Sequence, residues 1–248
     1  MTPAKRETFY AALARAMPEP KTELEHATPF ELLVAVVLSA QATDKSVNLA
    51  TAKLYPVANT PKAIAALGVE GLEQYVRTIG LYRGKAKNVI ALSNILLEQH
   101  GGEVPRTREA LEALPGVGRK TANVVLNVAF EELTIAVDTH VFRVSNRTGL
   151  APGKDVLEVE TRLMQVTPPK YLRNAHHYLI LHGRYTCLAK KPLCAQCPVF
   201  DPCEFKEKKA IAAAATEKEA PKKVLPKGKL VKAKKAKAVS PRRRPGPK

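Results

Sequence analysis

Apolar residues recur at helical spacing along the first 207 residues, and strand signals are scarce. Segment 28–31, Thr-Pro-Phe-Glu, resembles a capping box with proline at the first helical position, and it predicts a helix to about Ala42. Gly, Pro or Asn separates most of the remaining apolar segments. The further predicted helices are 5–16, 44–54, 61–67, 70–78, 84–99, 107–113, 119–129, 139–147, 155–166 and 170–182. The pattern therefore predicts an all-α fold.

The longest apolar run, 30–42, is too short to span a bilayer, and Glu31, Ser39 and Gln41 interrupt it. The first twenty residues lack the apolar stretch of a secretory signal. We therefore expect a soluble cytoplasmic protein in which this run is a buried core helix, with no membrane partner.

Positive charge is concentrated at the end of the chain. The net charge is +17, and residues 208–248 hold fifteen Lys or Arg against two Glu, which leaves +4 for the first 207 residues. This stretch is rich in Ala, Lys and Pro, so we predict a disordered basic tail in which 211–219 forms at most a short transient helix. Such a tail attracts polyanions, nucleic acid or acidic lipid, unless it only keeps the protein soluble.

The cysteines all fall within one short segment, which is typical of a metal site in a chain without an export signal. Four thiolates suit either tetrahedral zinc or a [4Fe–4S] cluster. A single Cys-x-x-Cys pair with asymmetric flanks favours iron–sulfur over a zinc ribbon, and zinc stays open as the second choice. The predicted ligands are Cys187, Cys194, Cys197 and Cys203.

The first interval of this cysteine loop contains Lys190 and Lys191. A loop whose ends are fixed by metal would present these cations to phosphate. A plain solvated loop is the alternative.

Segment 114–120 reads Leu-Pro-Gly-Val-Gly-Arg-Lys. Glycines on both sides of Val117 permit a tight turn and let a phosphate approach the backbone. The helix that follows offers unpaired N–H groups and the positive end of its dipole. We predict a DNA-backbone contact through Gly116, Val117, Gly118 and Arg119, with an ordinary helix-turn-helix corner as the alternative.

Lys120 lies at the first turn of the predicted helix, where a cation is disfavoured by about 0.3–1 kcal/mol. Partial burial would also lower its pKa, and a neutral amine can form a Schiff base. Lys85 is a rival, because segment 79–90 resembles 114–125 at an offset of 35, but no carboxylate follows it in the same way. Asp138, which follows Lys120, is either a helix N-cap or a catalytic carboxylate, and the two roles are compatible.

Segments 38–44, 114–120 and 137–140, with the cysteine spacing, together resemble the bacterial endonuclease III family, the DNA glycosylase/lyases of the helix-hairpin-helix superfamily. The resemblance covers about residues 1–207. It implies a six-helix domain at 22–132 that carries the hairpin, and a cluster domain formed by 1–21 plus 133–207. It also implies a cleft between them and leaves the basic tail, 208–248, outside.

The resemblance further implies a monomeric, nucleoid-associated enzyme acting on duplex DNA with oxidised or ring-saturated pyrimidines or abasic sites. The enzyme implied in this way contains a [4Fe–4S] cluster and requires no magnesium, NAD or nucleotide. Residue by residue, it implies a Schiff-base Lys120, a catalytic Asp138, four cluster cysteines, Gln41 in the gap left by the extruded base, Ile79 and Leu81 against the opposite strand, and Glu23 and His140 in the pocket.

Two rival functions stay open. The adenine glycosylase branch shares the hairpin, the aspartate and the cluster, but it lacks a lysine at position 120 and has a globular C-terminal domain. A non-catalytic helix-hairpin-helix protein with a zinc loop would explain the charge, glycines and cysteines. It would leave the Lys120/Asp138 pair unexplained.

Overall fold

The computed structural model describes residues 1–219, and within that range it contains helices and no strand. The prediction of an all-α fold is confirmed. The α-helices are α1 (Pro3–Ala16), α2 (Pro29–Leu38), α3 (Asp44–Leu54), α4 (Pro61–Val76), α5 (Tyr82–Gln99), α6 (Arg108–Glu112), α7 (Arg119–Phe130), α8 (Thr139–Thr148), α9 (Val156–Val166), α10 (Leu172–Tyr185) and α11 (Lys208–Glu219). Two short 3₁₀ helices span Pro169–Tyr171 and Cys194–Gln196. None of the described helices has the length and apolar character that crossing a membrane requires.

The buried apolar side chains form two clusters. The first cluster contains side chains from helices α2 through α7. The second cluster contains side chains from α1, α8, α9 and α10. This distribution supports the division into 22–132 and 1–21 plus 133–207, which stays a prediction. The functional consequence is that α7 and α8, which follow one another in the chain, belong mainly to different clusters.

Helix α2 is the central helix of the first cluster. Every residue from Phe30 to Leu38 is buried. Thr28 caps the helix as predicted, because its side chain accepts from the Glu31 N–H at 3.1 Å. The Glu31 carboxylate reaches back one residue beyond the N-cap and accepts from the Ala27 N–H at 2.5 Å, in a variant of the predicted capping box. The helix ends at Leu38 rather than Ala42, because Gln41 adopts a left-handed conformation (φ 53°) that cannot continue it.

Helix α11 corrects the prediction that residues 208–219 are disordered. Five alanines between positions 210 and 215 give this segment a high helix propensity. Its first residue is anchored, because the Lys208 ammonium donates to the carbonyls of Phe200 and Cys203. Residues 220–248, which hold most of the predicted tail, lie outside the described residues, and the predicted contribution of that tail to DNA binding stays a prediction.

Candidate active site

A cleft of about 690 Å³ lies where the end of α2 and the starts of α3, α7 and α8 meet α10. Lys120 and Asp138 both line it, although they start different helices. The cleft also takes in Gln41, Glu23 and His140 from the sequence prediction. Lys85, the rival nucleophile, is absent from the cleft wall.

The Lys120 amine is half-buried in the first turn of α7. Burial lowers its pKa from the usual value for lysine, while the negative charges of Asp138 and Asp44 act in the opposite direction and Arg184 lowers the pKa further. Because burial is the largest of these influences, the neutral and nucleophilic form of the amine is favoured relative to an exposed lysine.

Asp138 is the N-cap of α8. Its Oδ1 accepts from the backbone N–H groups of His140 and Val141, at 2.8 Å each. Because both bonds use Oδ1, Oδ2 remains available to the cleft. The two interpretations of Asp138 are therefore compatible in space: capping fixes the carboxylate, and the fixed carboxylate lines the same cleft as Lys120.

The glycine hairpin has the backbone that the sequence predicted. Gly116 is left-handed (φ 79°), and a Cβ there would lie 2.9 Å from the Asn88 amide nitrogen, so the turn requires glycine. Val117 is buried beneath the turn, whereas Gly116 and Gly118 are exposed. Gly118 is the N-cap of α7 and supplies no side-chain cap, so the first N–H groups of the helix are free for an anion.

Arg119 forms a close ion pair that sequence reasoning missed. Its Nε donates to Oε1 and Oε2 of Glu160 at 3.2 and 3.1 Å, and its Nη2 donates to Oε1 at 2.8 Å. Glu160 is buried (8 % exposed) on α9. The pair therefore ties the start of α7 to the second cluster, and the DNA contact of Arg119 stays a prediction.

The predicted wedge is divided between a surface residue and a core residue. Leu81 is 67 % exposed and left-handed (φ 59°), so its apolar side chain stands out from the protein. Ile79 is only 2 % exposed and packs in the first apolar cluster. The prediction that Ile79 faces the duplex is therefore corrected: this side chain supports the loop from below because its burial stabilises the core.

Charged side chains far apart in sequence form the wall of the cleft beside Glu23. The Arg184 guanidinium bonds the carboxylates of both Glu23 and Asp44, and the Tyr185 hydroxyl donates to Glu23. His140, the other predicted pocket residue, is held through its Nδ1 at 3.1 Å from the Arg143 guanidinium. Sequence analysis singled out neither Arg184 nor Asp44.

All four cysteines line one small cavity, together with Arg147 and His182. Burial raises the pKa of the Cys197 thiol to about 12 and also raises those of Cys194 and Cys203, so a metal must displace protons there.

In the described part of the chain, no three His, Cys, Asp or Glu side chains are placed to hold a single ion. Lys190 and Lys191 are exposed on the loop, as their predicted contact with phosphate requires.

Comparison with known proteins agrees with this geometry. Residues 34–169 match the HhH-GPD superfamily of base excision DNA repair proteins. Endonuclease III of Escherichia coli K12 is 63 % identical over 208 residues, which cover 84 % of this chain and 99 % of the relative. The chain belongs to the endonuclease III family. Endonuclease III of Haemophilus influenzae is 60 % identical over the same shares of the two chains.

Solved structures of the endonuclease III family have the same fold. A trapped endonuclease III–DNA covalent intermediate superposes with a TM-score of 0.79 at 47 % identity, covering 85 % of this chain and 99 % of that one. A non-covalent endonuclease III–DNA complex gives 0.79 at 46 % identity. A thermostable thymine-DNA glycosylase, 23 % identical with a TM-score of 0.75, shares the fold.

Because the Arg119–Glu160 pair connects the two clusters, we expect Glu160→Gln to lower both the free energy of unfolding and the rate of borohydride trapping. Loss of a half-buried charged hydrogen-bond pair should lower the free energy of unfolding by about 2 kcal/mol. Because the pair holds the start of α7, borohydride trapping of the chain on abasic-site DNA should also slow. Urea unfolding and the trapping rate measure the two effects.

Glu19→Gln is the matched control, because the Glu19–Lys21 pair is about 80 % exposed at both ends and should contribute within about 0.5 kcal/mol. Equal stability and equal trapping rates in Glu160→Gln and Glu19→Gln would contradict the role assigned to the pair.

Proposed function

We propose that this base excision repair glycosylase and AP lyase removes oxidised or ring-saturated pyrimidines from duplex DNA through a Schiff base at Lys120. The observation that carries the proposal is the presence of Lys120, with its lowered pKa, and Asp138 in one cleft. A relative of this family has been trapped as a covalent intermediate with DNA, which supports a covalent route.

The damaged nucleotide must leave the helix before it reacts, because its sugar carbon cannot be approached inside the stack. The cleft of about 690 Å³ receives it. The exposed Leu81 and Gln41 occupy the vacated step, and this offsets a few kcal/mol of unstacking. The hairpin at Gly116–Gly118 holds the phosphate backbone without reading sequence.

Covalent chemistry begins when the neutral Lys120 amine attacks C1′ of the deoxyribose. A C–N bond forms, the glycosidic bond breaks, and the base departs with the bonding electrons and takes up a proton. Asp138 stabilises the positive charge that develops on the sugar and accepts the proton released by the amine. The sugar ring opens and leaves an imine between Lys120 and C1′.

The imine makes strand cleavage possible. It withdraws electrons from C2′, so a C2′ proton is lost and the 3′ phosphate leaves in a β-elimination. Water then hydrolyses the imine and regenerates the Lys120 amine. These steps need no nucleotide and no magnesium. The proposed substrate is the chromosomal DNA of the cell.

The cysteine loop would hold a [4Fe–4S] cluster through Cys187, Cys194, Cys197 and Cys203. When bound, the cluster fixes the shape of residues 187–203, which includes the exposed Lys190 and Lys191 beside the DNA. The Arg147 guanidinium supports this ligand set, since it lies 3.6 Å from the Cys187 sulfur and donates to the Leu188 and Ala189 carbonyls at 2.6 and 2.8 Å.

Metal analysis tests the cluster. The purified chain should be brown and contain about four irons. Cys203→Ala should lose the colour and most of the iron, because one ligand is missing. One zinc per chain with little iron would contradict the assignment and favour the zinc alternative.

Borohydride trapping tests the nucleophile. The unaltered chain should form a covalent adduct with abasic-site DNA because the reduced imine is stable. Lys120→Ala should form none. Lys85→Ala should still form it, because Lys85 lies outside the cleft wall. Loss of the adduct in Lys85→Ala alone would show that the wrong lysine was assigned.

The pH dependence of trapping tests the electrostatics. A lowered lysine pKa means that the neutral amine is already present at lower pH, so the rate should rise with pH through that pKa and then level off. The charge of Asp138 raises the pKa of Lys120, so Asp138→Asn should shift the midpoint to lower pH and reduce the maximum rate. Asparagine keeps the cap of α8. An upward shift of the midpoint would contradict this account.

A further inference from the structure

The chain contains a second junction that resembles the glycine hairpin. When segment 79–90 is placed on 114–125, Leu81 falls on Gly116, and both residues are left-handed (φ 59° and 79°). A helix begins directly after Leu81 and three residues after Gly116. A backbone hydrogen bond between residues three apart precedes each turn at the corresponding position. Ile79 N donates to Val76 O at 2.9 Å, and Leu114 N donates to Leu111 O at 3.1 Å.

The two junctions lie against one another. Asn88, in the second turn of α5, packs onto the backbone of Gly116, so closely that a Cβ at Gly116 would lie 2.9 Å from its amide nitrogen. The start of α5 is therefore next to the hairpin that holds the DNA backbone. The exposed Leu81, the proposed wedge, lies at the same start.

The start of α5 has the features of an anion site. This eighteen-residue helix has no side-chain cap and no acidic residue in its first turn. Its first N–H groups therefore lack the partners that caps supply at most helix starts. Gly84 adds open space, because a Cβ there would meet no atom within 4 Å.

Lys85 gives the independent indication of a ligand. The residue is only 6 % exposed, and its ammonium nitrogen has no hydrogen-bond partner among the described residues. Helical side chains lean towards the N-terminus, so the chain of Lys85 extends over the first turn of α5. A buried ammonium without a partner is costly, and a phosphate oxygen would satisfy it.

We propose that the start of α5 is a second phosphate-binding site, in which Lys85 pairs with a phosphodiester of the strand opposite the lesion. This inference rests on the proposed DNA repair function and extends it to residues outside the glycine hairpin. Gly84 leaves open space at this helix start, and the exposed Arg83 places a second cation beside it. The two helix starts would then hold both strands around the wedge.

The decisive variant is Lys85→Met, which removes the charge and keeps the length of the side chain. Its affinity for a duplex with an uncleavable reduced abasic site should fall roughly tenfold at 0.1 M salt, and the slope of log K against log salt should shrink by about 0.9, the value of one phosphate contact. The melting temperature should stay equal or rise, because a buried unpaired charge is gone. Lys85→Arg should keep the slope.

Lys53→Met is the matched control, because Lys53 is exposed near the end of α3 and its loss removes the same net charge. A slope for Lys85→Met equal to that of Lys53→Met would overturn the proposal. A lower melting temperature with an unchanged slope would also overturn it and show that the amine only supports the fold. Formation of the borohydride adduct by Lys120→Ala would contradict the proposed function whatever the slope of Lys85→Met, so failure of the proposed function and failure of this inference are distinguishable.

Discussion

The proposed chemistry depends on keeping one lysine amine uncharged in a cleft that also contains carboxylates. Burial lowers the pKa of Lys120, whereas the charges of Asp138 and Asp44 both favour its charged form. The Arg184 guanidinium bonds the carboxylates of Asp44 and Glu23 and so compensates charge that would otherwise act on the amine. The pKa of Lys120 is therefore influenced first by its burial and then by how the neighbouring charges are paired.

The same local interactions that form the helices also place the reacting groups. Lys120 lies in the first turn of α7 and Asp138 caps α8, so each is fixed by the start of a helix. These two helices belong mainly to different apolar clusters, and the Arg119–Glu160 pair connects the clusters one residue from Lys120, the proposed nucleophile. Because the contact is bidentate, it restricts rotation as well as distance.

Local signals in the sequence were sufficient for most of the helices, and they also indicated the proposed reacting pair, Lys120 and Asp138. The capping box at Thr28, the glycines around Val117 and the cysteine spacing each act within a few residues, so they can be read without the fold. The partners of Arg119 and Arg184 could not be read in this way. Glu160 lies 41 residues from Arg119, and Glu23 lies 161 residues from Arg184, so only the packing of helices brings them together.

Ile79 shows the opposite failure, in which a family likeness suggested an exposure that packing does not allow. Ile79 shares its loop with Leu81, yet the left-handed residue at 81 turns the chain so that one side chain enters the core and the other the solvent. Gln41 is left-handed as well, and non-glycine residues adopt this conformation at a cost. Of the three such residues in the described chain, two are those expected to enter the duplex. Backbone strain therefore falls mainly on the residues proposed to replace the extruded base, and the packing of Ile79 helps to hold Leu81 in place.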